Sequence, residues 1–95
     1  MHIISRKRVR EAKLTFPHSA ESLEGWYRLA TKNKFKNFAE LKIVFGSVDK
    51  VKNLFVFNIA GNKLRLIAGI HFNRQKIFIR NILDHSDYDK GHWKK

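Results

Sequence analysis

Arg65, His85 and Tyr88 combine the chemistry of anion stabilisation with that of proton transfer. The last two lie in the stretch RNILDHSDYDKG, residues 80–91, where an apolar run ending at Leu83 gives way at once to acids, a histidine and a tyrosine. Histidine exchanges a proton near neutral pH, where both of its forms are available. Arginine stays charged, and its planar fork matches phosphate oxygens bidentately. Metal-free RNA cleavage asks for such groups: a 2′-hydroxyl loses its proton, the pentavalent phosphate has its added negative charge stabilised, and the 5′-oxygen is protonated as it leaves. In that scheme Arg65 meets the charge, His85 transfers a proton, and Asp84 or Asp87 holds the imidazole in one tautomer. Tyr88 either stacks on a base or donates a hydrogen bond to the phosphate; residue type admits both.

Plainer roles fit the same side chains. A histidine at a strand end is commonly just solvated, and Arg65 and Arg80 could clamp phosphates without catalysing. Asp84, His85, Asp87, Asp89 and His92 are metal-ligating types. Their spacing matches no metal motif, however, and the surrounding cations disfavour a divalent ion, so neither a metal nor a cofactor is expected.

These residues sit in a strongly basic chain. It carries a formal charge of +12 over 95 residues, and no acid occurs between Asp49 and Asp84. The same window holds Lys50, Lys52, Lys63, Arg65, Arg74, Lys76 and Arg80. Such a one-sided segment repels itself unless a polyanion neutralises it, so nucleic acid is the expected partner. The charge lies on strands, not on an amphipathic helix with bulky apolar anchors, which argues against a membrane surface. No apolar run is long enough for a membrane span or a signal peptide, and cysteine is absent; the chain reads as cytosolic and held together by packing. Its length and 43% hydrophobic content suit a single domain over residues 1–95.

The elements that must position the site fall into two halves. In the first, His2 to Ile4 reads as an edge strand and Ser5 to Lys13 as a short amphipathic helix on Val9 and Ala12. After Pro17, Ser19 as N-cap, Glu21 and Glu24 in the first turn, and Leu23, Trp26, Tyr27 and Ala30 at helical spacing predict a second helix. Trp26 and Tyr27, in phase with that stripe, belong to the core and not to a base-stacking platform. Phe38, Leu41, Val44 and Phe45 predict a third helix.

In the second half the period becomes two. Leu54 to Ile59, Lys63 to Phe72 and Lys76 to Leu83 predict an antiparallel three-strand meander. A type II′ turn at Gly61-Asn62 sets Ile59 opposite Leu64 and Asn58 opposite Arg65. A two-residue loop at Asn73-Arg74 sets Arg80 opposite Ile67 and Ile82 opposite Arg65. One face then collects Phe55, Phe57, Ile59, Leu64, Leu66, Ala68, Ile70, Phe72, Ile77, Ile79 and Leu83 as core, with Asn81 unexplained among them. The other carries Asn58, Lys63, Arg65, His71, Lys76 and Arg80 among Val56, Ile67, Gly69, Phe78 and Ile82: a nucleic-acid surface over which His85 and Tyr88 hang.

The stretch VFNIAGNKLRLIAGIHF, residues 56–72, followed by IFIRNILDHSDYDKG, residues 77–91, resembles the HigB family of toxins from bacterial type II toxin-antitoxin modules, within the wider RelE-like superfamily. The resemblance runs over nearly the whole chain, from the MHII start through the helices. It is most specific at the Phe57-Asn58 and Gly61-Asn62-Lys63-Leu64-Arg65 block and at the His85, Tyr88, Asp89 block. The family pattern often reads THxxYD, where this chain has Asp84 in place of the hydroxyl residue, and often has an aromatic residue at the position of Leu64.

The resemblance implies an α+β RelE-like fold and an mRNA interferase that enters the ribosomal A site and cuts the message being translated. It implies no metal, and products with a 2′,3′-cyclic phosphate and a 5′-hydroxyl. A HigA-like helix-turn-helix antitoxin would neutralise the toxin, with DNA bound only through the complex of the two. Arg65, His85 and Tyr88 are the expected catalytic residues; Asn58, Lys63, Arg80, Lys50, Lys52, Lys76 and Lys90 are expected to contact RNA. The competing readings are an RNA- or ribosome-binding protein without chemistry and a ribonuclease that works without the ribosome.

Overall fold

The computed structural model describes residues 1–94. The chain runs β1 (His2–Ile4), α1 (Arg6–Thr15), α2 (Ala20–Lys32), α3 (Phe38–Val44), β2 (Asp49–Val51), β3 (Leu54–Ile59), β4 (Leu64–His71), β5 (Lys76–Asp84) and α4 (His85–Asp89), with short 3-10 turns at Pro17–Ser19, Phe72–Arg74 and His92–Lys94. The five strands form one sheet in the order β1-β5-β4-β3-β2. The expected meander is antiparallel throughout, but β1 pairs with β5 in parallel, so the sheet is mixed. An additional edge strand, β2, pairs with β3. At three residues, Asp49-Lys50-Val51 is too short to show a period of two.

The three expected helices are present. Only Val9 and Ala12 of α1 are buried, and its first turn carries Arg6 and no acid, which opposes the helix dipole. Ser5 provides no side-chain cap. Tertiary contacts hold this helix instead: the Arg6 guanidinium lies 5.2 Å from the Tyr27 ring centre, and Lys13 bonds Glu24 of α2, holding that carboxyl below its ordinary range. Ser19 precedes α2 but its side chain makes no cap bond. Asn37, in contrast, caps α3 by accepting from the Glu40 N–H.

Leu23, Trp26, Ala30 and Leu41 pack with Val9 and Ala12 against Phe57, Ile59, Leu64, Leu66, Ala68, Ile77 and Ile79 on one sheet face. Each fully buried large side chain contributes about 1.5–3 kcal/mol. Trp26 meets Phe57 edge-on at 5.3 Å, as a core residue.

The β3–β4 register is as expected, with Ile59 opposite Leu64 and Asn58 opposite Arg65. The turn joining them is not type II′. Ala60 (φ 55°) and Gly61 (φ 67°) are both left-handed, and Lys63 N–H donates to the Ala60 carbonyl at 3.3 Å. The register survives because the number of residues between the strands is unchanged.

Between β4 and β5 the expected register holds only near the turn. His71 pairs with Lys76 and Ala68 with Ile79, and then a bulge shifts the ladder between Ile67 and Ala68. Ile67 therefore faces Asn81, not Arg80, and Arg65 faces Leu83, not Ile82. One extra residue exchanges the two faces beyond it. Ile82, opposite Leu66, joins the helical core, while Leu83 and Asn81 turn to the other side. Asn81, misplaced in a regular ladder, thus lies on the polar face.

Candidate active site

The C-terminal segment folds back over that second face. Trp93 is 5% exposed and packs with Val56 and Ile67, joined by Val51, Leu54, Leu83 and Tyr88 at the edge of the cluster. The face read as wholly open is therefore partly covered by the chain's own tail.

Asp84 ends β5 and caps α4, its carboxylate accepting from the Asp87 N–H at 2.8 Å. Helix α4 is also tied to the β3–β4 turn, because the His85 N–H donates to the Lys63 carbonyl at 3.1 Å. That bond sets His85 beside the end of β4 where Arg65 sits. The expectation that Asp84 or Asp87 orients the imidazole is not met. Asp84 is the cap, Asp87 approaches Lys90 at 3.5 Å, and Asp89 holds His85 Nδ1 at 2.9 Å, one helical turn on. With Nδ1 turned to the carboxylate, Nε2 is the ring nitrogen left for proton transfer.

The Arg65 guanidinium is held by its own strand end. Its Nη1 donates to the carbonyls of Asn62 (3.1 Å) and Leu64 (3.2 Å), and its Cζ lies 5.4 Å from the Tyr88 ring centre. None of the ion pairs among the described residues engages it, so its charge remains available to an anion. The Tyr88 ring stacks on Trp93 at 5.0 Å with 14° between planes, and Trp93 Nε1 donates to the Tyr88 carbonyl at 3.0 Å. An arginine, a tyrosine and a tryptophan thus form a connected stack beside an exposed histidine. Reading the sequence missed Trp93, a lone aromatic in the charged tail KGHWKK. It also missed Asp89, although a spacing of four on a helix signals a facing pair.

The expected RNA-contacting residues divide. Asn58 lies opposite Arg65 across the β3–β4 pair, Lys63 is exposed in the adjoining turn, and Lys90 follows α4. Arg80 is exposed at the bulge. Lys76 stands at the other end of the sheet, opposite His71, which is six residues and roughly 20 Å along β4 from Arg65. Lys50, on the edge strand, and Lys52, in the turn after it, are likewise outside the Arg65 cluster. Among the described residues no group of three or more His, Cys, Asp or Glu is arranged to hold a metal ion.

A model of the HigB toxins, RelE-like toxic components of toxin-antitoxin systems, matches residues 19–91. The chain belongs to the HigB toxin family. It is 37% identical over 92 residues to the mRNA interferase toxin HigB of Escherichia coli (strain K12), covering 94% of this chain and 88% of that protein. The mRNA interferase HigB of Shigella flexneri shows the same identity and coverage. That of Escherichia coli O6:H1 is 33% identical over 93 residues, 95% of this chain and 90% of its own length. The HigB match takes in β3, β4, β5 and α4, and with them Arg65, His85 and Tyr88. No helix of the described residues is long and apolar enough to cross a membrane.

Proposed function

We propose that this chain is the toxin of a toxin-antitoxin module and acts as an mRNA interferase, cutting messages during translation. The observation that carries the reading is the arrangement of Arg65 over Tyr88 at the strand end to which His85 is tied. The names of the HigB relatives support it.

In the proposed reaction the 2′-oxygen attacks the adjacent phosphorus, the 5′-oxygen leaves, and the products carry a 2′,3′-cyclic phosphate and a 5′-hydroxyl. Arg65 stabilises the charge that grows on the phosphoryl oxygens, where a preorganised cation acts most strongly. His85 Nε2 and the Tyr88 hydroxyl serve as the proton-transferring groups. No metal takes part. Asn58, Lys63, Arg80 and Lys90 hold RNA around the cut, while Lys50, Lys52 and Lys76 dock the toxin more remotely.

With one histidine and one tyrosine as acid-base groups, catalysis depends on a substrate already held in place. We assign that task to the ribosomal A site, in the cytoplasm. A HigA-like helix-turn-helix protein is the proposed antitoxin, with DNA bound only through the complex.

The test is to map the 5′ ends of transcripts after expression of the protein, with active and with stalled initiation, and to repeat the assay with naked RNA. Cuts within translated frames that disappear when initiation is blocked are expected. Blocked translation with intact messages would overturn catalysis, and equal cutting of naked RNA would overturn dependence on the ribosome.

A further inference from the structure

A groove of about 330 Å³ opens beside the proposed reaction centre, lined by Asn81, Leu83, Asp87, Lys90, His92 and Trp93. Its floor exists because of the β5 bulge, which turns Asn81 and Leu83 to the same face as Arg65. Leu83 is the cross-strand partner of Arg65, and Asn81 lies two residues further along, roughly 7 Å away. Half-buried Leu83 supplies most of the apolar wall, with an edge of Trp93 beside it. Lys90 supplies a cation at the rim, with the Asp87 carboxylate 3.5 Å from its ammonium. The Asn81 side chain is half-buried and, among the described residues, is engaged by no hydrogen bond. A partly desolvated amide in this condition is an open donor and acceptor facing the groove.

Resting on the interferase reading above, we propose that this groove is a subsite for one unpaired nucleobase, that of the nucleotide next to the one whose phosphate meets Arg65. The base lies against Leu83 and the small exposed edge of Trp93, and its own edge exchanges a donor and an acceptor with the Asn81 amide. Unpaired bases in single-stranded RNA are read by hydrogen bonds to their exposed edges, here with an apolar side wall to hold the base. Asn81 acts on which base is accepted, not on the bond that breaks.

Two measurements test the subsite. In the first, cut sites of wild type and of Asn81→Leu, which keeps size and removes both hydrogen-bonding groups, are mapped over many transcripts. The variant should keep cutting but lose base preference at one position beside the cut by about fivefold or more, the scale of one base-edge contact. Asn81→Asp, with acceptors only, should shift that preference towards bases that present donors. A cut-site profile unchanged in both variants would overturn the subsite, whereas a wild type that cuts nothing would overturn the interferase reading.

The second measurement needs no cleavage. Nucleoside 5′-monophosphates, and inorganic phosphate as control, are titrated while the indole N–H resonances of Trp26 and Trp93 and the side-chain amide of Asn81 are followed. Movement of Trp93 and Asn81 with nucleotides but not with phosphate supports the subsite. No movement, or equal movement with phosphate, refutes it.

Discussion

At the scale of single residues, the proposal separates a charge that acts on the reacting phosphate from contacts that only aim the groups doing so. Arg65→Ala should lower the cleavage rate by ~10²–10³, the loss expected for one preorganised charge-stabilising donor. His85→Ala should lower it by ~10²–10⁴. Single-turnover cleavage on programmed ribosomes reads both, and wild-type rates in either folded variant would refute the assignment. Asp89 is a different case. Its pair with His85 is 57% and 60% exposed on the two sides, and exposed pairs contribute only ~0.2–1 kcal/mol. Asp89→Ala should therefore cost no more than about fivefold in rate. A loss as large as that of His85→Ala would mean that Asp89 itself contacts the substrate.

At the scale of elements, one strained turn and one lightly held turn adjoin the site. Ala60 adopts a left-handed backbone in the β3–β4 turn, which costs a residue with a Cβ roughly 1–2 kcal/mol. Ala60→Gly should raise unfolding free energy by about 1 kcal/mol, read from the midpoint of a denaturant titration at unchanged slope. The same change leaves the Arg65 register intact, since the turn keeps its length. The C-terminal turn is anchored mainly by one side chain. Trp93→Ala removes the partner on which Tyr88 stacks and should cost about 3 kcal/mol, the lower end for a buried aromatic because its cluster is small. Amide exchange should then accelerate in α4 before it does in β3 and β4; equal protection throughout would show that the stack holds nothing.

For the whole molecule, the distribution of charge decides more than its total. Lys50, Lys52 and Lys76 stand apart from the Arg65 cluster, so reversing them to Glu should weaken ribosome binding and leave the rate of the bound complex unchanged. Each lost contact with single-stranded phosphate should reduce the slope of log binding constant against log salt by about 0.7. A fall in the bound-state rate would place those lysines in the reaction centre instead.

The sequence by itself determined the α+β class, the three helices, the core face of β3 and β4, and the pairing of Asn58 with Arg65. These follow from local periodicity and from a turn of countable length, which fix side-chain direction before any tertiary contact forms. Only the tertiary structure decided the bulge at Arg80, where no glycine or proline marks the break, and hence the faces taken by Asn81, Ile82 and Leu83. It alone decided that β1 lies parallel to β5 and that Trp93 folds back beneath Tyr88. Such choices depend on how apolar surfaces far apart in the chain are buried against one another, an energy that no short window of residues contains.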